Sequence, residues 1–162
     1  MKSFTSKHEE GTTTVEFAIV GSVVFLVLFS LIEVGRIIYT WNALNEVARL
    51  SARLATVCSV DDVNNGVVSD MVVNQWQGNA INLQQSNLQF SYLNEDGSAA
   101  VPEVSASLVE SRIVNYQYNM ILPLPVNLSQ WAPAFSTTLR AESLGVTING
   151  KVKCNPDGGA SL

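Results

Sequence analysis

From Phe17 to Ile32 the chain reads FAIVGSVVFLVLFSLI, sixteen residues without a charge and without a polar face. With the weakly polar TTTV before it, the run reaches about the twenty residues a helix needs to cross roughly 30 Å of hydrocarbon. Past the run, in EVGRIIYTWNALNEVARLSARLATV, the pattern turns amphipathic. Ile37, Trp41, Leu44, Val47, Ala48, Leu54 and Ala55 recur at spacings of three and four, one apolar stripe on a helix. Glu33 stands three before Arg36 and Glu46 three before Arg49, a spacing at which side chains meet on a helix surface. The stretch has no proline, and its only glycine is Gly35. The pattern therefore predicts one helix from about Thr13 to Val57, about 65 Å long at 1.5 Å per residue, half in lipid and half outside it.

After Ser59 the period breaks. Asp61 or Asp62 can cap a new helix, in which Val63, Val67, Met71, Val72 and Trp76 make a shorter apolar stripe ending at Gly78. Asn79 to Ser86 reads as a polar loop. The remainder alternates at period two. Gln89 to Leu93 predicts a first strand, closed by the turn-like NEDGS. Val114, Tyr116, Tyr118 and Met120 alternate with three amides and predict a half-buried strand. Pro123, Pro125 and Pro133 mark a rigid connection. Phe135, Thr137, Leu139 and Ala141 alternate with polar positions in another strand. In VTINGKVKC, a turn at Asn149-Gly150 would pair Ile148 with Lys151 and Val146 with Lys153, mixing apolar and charged residues on one face. A single strand carrying Val146, Ile148, Val152 and Cys154 on one face is the favoured reading. The fold class is α+β: a long N-terminal helix packed on a small antiparallel sheet.

Composition sharpens the anchor. The chain has 162 residues, is 47% hydrophobic and carries a net charge of −5, which argues against nucleic acid as a main partner. Residues 59–100 are instead rich in Asn, Gln, Ser and Asp. A buried helix of a soluble protein would need a larger partner fold than this chain has. A signal peptide, with Lys2 and Lys7 as its basic region, lacks a small-residue cleavage site, because SLIEVGRII follows. A retained membrane helix accounts for the run best. Its orientation stays open on charge alone: Lys2, Lys7 and His8 precede it, and Arg36, Arg49 and Arg53 follow.

Catalysis is poorly supplied. One histidine, His8, and two cysteines offer neither a metal site nor a Cys/His nucleophile. Asp61/Asp62 and Glu95/Asp96 sit in polar turns, no phosphate-binding glycine loop appears, and no cofactor is implied. Asn127-Leu-Ser129 satisfies the glycosylation triplet but carries little weight. Cys58 ends the long helix and Cys154 ends the last strand. In an oxidising compartment they can pair, closing about 96 residues for roughly 4–5 kcal/mol; the alternative is two unrelated buried thiols. Pairing requires the C-terminal part to be exported.

Glu16 interrupts the start of the apolar run, where an ionised carboxylate is costly unless it lies near an interface. It is the fifth residue from Thr12, which follows Gly11. A polar leader, a glycine, then glutamate at plus five, phenylalanine at plus six and an apolar run resembles a type IV prepilin. Glu16-Phe17-Ala18, Glu33 to Arg36, Asn42-Ala43-Leu44, and the Ala48-Arg49 and Ala52-Arg53 pairs resemble the N-terminal segment of TadE-like proteins, the pseudopilins of tight-adherence (Flp-type) pili. VNYQYNMILPLP and TTLRAESLG are similar to that family's C-terminal strands.

The resemblance implies a leader at 1–11, a transmembrane segment at 12–38, the outer half of the helix at 39–58 and a periplasmic α+β domain at 59–162. It implies a cut between Gly11 and Thr12 by a prepilin peptidase. Glu16 would then pair with the ammonium that the cut creates on a neighbouring subunit. The implied protein is not an enzyme. It is a structural minor pilin of the inner membrane, N-terminus in the cytoplasm, that serves pilus assembly and surface attachment. Its implied partners are the major Flp-type pilin, other minor pilins and the inner-membrane assembly platform. The competing reading is an uncleaved single-pass protein with a periplasmic binding domain. TadE-like and TadF-like components are not separated by these residues.

Overall fold

A computed structural model describes residues 10–78, 81–102, 105–120, 134–148, 150–151, 153–155 and 160–161. The leader residues 1–9, the three prolines of the predicted rigid connection, the Asn127 triplet, Asn149 and Val152 lie outside the described residues. The chain divides into two units, Met1–Ile38 with Met120–Leu124 and Tyr39–Asn119 with Pro125–Leu162.

Helix α1 spans Glu10–Val57. In the first unit its apolar side chains are exposed around the whole circumference, Phe17 at 79%, Ile19, Phe25, Leu26 and Leu31 among them. Ser22 and Ser30 donate their hydroxyls to the carbonyls four residues back, at 2.7 and 2.8 Å, which hides two polar groups inside an apolar segment.

In the second unit α1 becomes the spine of the core. Leu44, Val47, Ala48, Ser51, Ala52 and Ala55 are all buried. The expected stripe is corrected at its edges. Trp41 is exposed and Leu54 only half-buried, while the small residues Ala43, Ser51 and Ala52 face the core instead. Small side chains there let the helix approach a sheet closely.

The single helix expected after Ser59 is two, α2 at Val60–Asn64 and α3 at Val67–Gln75. Gly66 between them adopts φ 80°, a left-handed conformation that ends one helix and starts the next. Ser59, not Asp61 or Asp62, caps α2, its hydroxyl accepting the Asp62 N–H at 3.2 Å. The segment expected as a polar loop contributes Ile81 and Leu83 to the core and closes on a 3₁₀ turn at Gln85–Asn87.

Strands β1 (Leu88–Leu93), β2 (Leu108–Ile113) and β3 (Ser136–Arg140) form an antiparallel sheet in that order. β1 and β3 follow the predicted alternation; β2 was not foreseen. Its inward positions are Val109, Ser111 and Ile113, paired with Tyr92, Phe90 and Leu88. At the centre, the hydroxyls of Ser51 and Ser111 share a buried hydrogen bond of 2.6 Å between α1 and β2. The expected strand at Val114–Met120 keeps its alternation of half-buried and exposed positions, but among the described residues it joins no ladder. At the NEDGS turn between β1 and β2, the Ser98 hydroxyl and then its N–H donate to the Asp96 carboxylate, holding that carboxyl below its usual range.

The expected single strand near the C-terminus is corrected to a hairpin. β4 (Val146–Thr147) pairs with β5 (Gly150–Lys151) in the register Val146↔Lys151 and Thr147↔Gly150. Shifting the turn one residue earlier than Asn149-Gly150 leaves Ile148 at the tip, fully exposed. β6 (Lys153–Cys154) pairs with β7 (Ala160–Ser161).

Leu144 and Gly145 dock the C-terminal chain on the end of α1. Leu144 donates its N–H to the Thr56 carbonyl at 3.1 Å, one of the last-turn carbonyls without a partner in the helix. Gly145, at φ 76°, lies so close to Ser59 that a Cβ would stand 2.6 Å from its Cα and N. Gly145→Ala is expected to cost roughly 2–3 kcal/mol, from the left-handed backbone plus displacement of a packed neighbour. Proteolysis of the full chain in mild detergent across a urea series measures this.

Candidate functional site

Gly11 and Thr12 are both helical, within α1. Gly11 occupies a helical position although glycine is a poor helix former.

Glu16 follows one turn later and is exposed. Its neighbours along the chain, Val15 and Phe17, are exposed as well, at 59% and 79%. Within the described residues, therefore, a carboxylate stands on an apolar surface that its own chain leaves uncovered. Such a group is tolerated at a lipid head-group boundary, or in an apolar bundle where an opposite charge meets it.

Nearly five turns on, Glu33 is buried and Arg36 half-buried, with Arg36 Nη1 donating to Glu33 Oε2 at 3.2 Å and Oε1 at 3.4 Å. The pair lets two opposite charges occupy the apolar helix together at less cost than either alone. The second predicted pair, Glu46 and Arg49, meets at 3.5 Å on an exposed face, where such contacts contribute little.

The Ala-Arg repeats split by role. Ala48 and Ala52 are buried in the core, whereas Arg49 and Arg53 are exposed. With Glu46, Leu50, Thr137 and Leu139, the two arginines line an open groove of about 420 Å³ beside β3. The alanines serve this chain's own packing; the arginines face outward.

Cys58 and Cys154 are joined by a disulfide with their Cα atoms 5.6 Å apart. Beside it, the Cys154 N–H donates to Asp62 Oδ2 at 2.9 Å. The role of Asp62 as an acceptor for the C-terminal chain, and the Ser51–Ser111 bond, had no local signal in the sequence. A polar residue at a core-facing helix position, as Ser51 is, was the one available hint. Among the described residues no group of three or more His, Cys, Asp or Glu side chains could hold a metal ion.

An N-terminal helix long and apolar enough to cross a membrane, its apolar window uncovered, fits a single-pass membrane protein with an α+β domain. Residues 11–53, which carry Gly11, Glu16, the Glu33–Arg36 pair and both arginines, match the family model described as TadE-like protein. The chain thus carries the TadE-like N-terminal segment. No curated protein and no solved structure matches it.

Proposed function

We propose that this chain is a structural minor pilin of a tight-adherence pilus, inserted N-terminus inward and cut between Gly11 and Thr12 by a prepilin peptidase. The observation that carries the reading is Glu16, an exposed carboxylate one turn after Thr12 on a helix whose apolar surface is uncovered. In the membrane, lipid covers that surface. In a filament, the helices of neighbouring subunits cover it, and the new ammonium of a neighbour meets Glu16. The major Flp-type pilin, other minor pilins and the membrane assembly platform are the partners this role requires. The Cys58–Cys154 bond supports an exported domain, since disulfides persist in oxidising compartments. The function is assembly and attachment, with no catalytic step.

Intact-mass measurement on chain extracted from membranes with a co-expressed prepilin peptidase tests the cut. The expected product begins at Thr12, and Gly11→Val is expected to retain the leader because bulk obstructs the cut. Retention of residues 1–11 in the unsubstituted chain would instead favour an uncleaved single-pass protein with a periplasmic binding domain.

A further inference from the structure

The second unit carries a groove whose described walls are built from uncharged amides and a hydroxyl. Asn82, Gln84 and Ser86 are exposed positions of one segment, which also carries the buried Ile81 and Leu83. Asn115 and Gln117 are exposed positions of another, alternating with the half-buried Val114, Tyr116 and Tyr118. Both rows line a single open cavity of about 280 Å³.

Asn87 sets the distance between the rows. Buried at 8% exposure, it accepts the Gln84 N–H on Oδ1 at 2.9 Å. Its Nδ2 donates to the carbonyls of Val114 and Asn115 at 3.0 and 3.2 Å, and its own carbonyl accepts the Val114 N–H at 2.8 Å. Asn115 is held there at φ 52°, a left-handed conformation that asparagine tolerates better than most side chains. The rows are thus fixed to each other by three hydrogen bonds, and the fourth holds Gln84 within its own row. The side chains of Asn82, Ser86, Asn115 and Gln117 make none among the described residues.

Pockets for compact ligands are mostly apolar with a few polar groups; this one is the reverse. Its described walls offer no charge with which to select an acidic or basic partner. Each amide presents a donor and an acceptor side by side, which adjacent hydroxyls of a sugar ring can answer with an acceptor and a donor. Asn82 also lines a second cavity of about 280 Å³ whose wall includes Trp76. The Trp76 indole N–H is buried with no hydrogen-bond partner among the described residues. Trp76 itself is half-buried, packed against the core cluster that includes Ile81 and Leu83. We propose that the amide groove binds a neutral polysaccharide, one or two sugar units at a time. The site is independent of whether the leader is cut.

The test applies the full chain in detergent to immobilised neutral glucose, mannose and galactose oligosaccharides, an acidic uronate polymer and an uncharged Ser/Gly/Asn peptide. Retention on at least one neutral sugar is expected, displaced by the free oligosaccharide and unchanged between low and high salt. Asn82→Ala with Gln117→Ala, both exposed, should reduce that retention at least fivefold while leaving the urea unfolding midpoint in place. Retention on the uronate alone, on the peptide alone or on nothing overturns the proposal. So does equal retention by the double variant.

Discussion

Cys154→Ser is expected to lower the unfolding free energy of the second unit by about 4–5 kcal/mol, the entropy released when a loop of 96 residues opens. Cys58 is fully buried at the end of α1, so the variant also leaves one sulfur without its partner. The hydrogen bond from Cys154 to Asp62 still ties that strand to the helical layer, but it is too weak to replace the loss. A loss of this size is a large fraction of the 5–15 kcal/mol by which domains are stable. The check is a urea series on the full chain with and without reductant. Reductant should bring the unsubstituted chain down to the variant and leave the variant unmoved. A midpoint indifferent to reductant would remove the disulfide from the account of stability and weaken the case for export.

Glu16→Ala should leave the mass of the processed chain that of a product starting at Thr12, while incorporation into filaments falls on the order of a hundredfold. That is the scale of one uncompensated charge in an apolar bundle, here the neighbour's ammonium. Glu16→Gln should behave the same way, since it keeps the shape and removes the charge, and Glu16→Asp should recover part of the loss. Immunoblotting sheared filaments from cells carrying each variant, beside intact mass of the membrane fraction, reads both effects. Normal incorporation of the alanine variant would dismiss the ion pair while leaving the cut intact. Loss of the cut itself would move Glu16 from assembly to recognition by the peptidase.

What could be read ahead of the structure followed the strength of the period. Phe17 to Ile32 reads as helix under every interpretation of its length and composition, and α1 runs through it. β1 and β3 show alternation with apolar residues on one face, and both are strands. β2 hides because its central inward residue is Ser111, whose partner Ser51 is sixty residues away on a helix; a serine reads as polar until that partner is known. The segment 114–120 shows the converse. Its alternation reports one covered side, which a chain lying on a core also produces without a ladder. At the C-terminal hairpin the side-chain argument against pairing assumed a turn at Asn149-Gly150, and a one-residue shift in the turn changes every pair. Gly11 and Glu16 were legible only as spacing along the chain. Their geometry adds that Gly11 is helical and that the Glu16 carboxylate is uncovered.

The bond between Cys58 and Cys154 also decides how the chain carries tension. A pull applied between α1 and the C-terminal residues passes from Cys58 across the sulfurs to Cys154, and residues 59–153 lie outside that path. The sheet, the two short helices and the amide groove are then unstretched however hard the ends are drawn. Only after reduction does the enclosed chain enter the line of force, adding up to roughly 320–350 Å of contour at full extension.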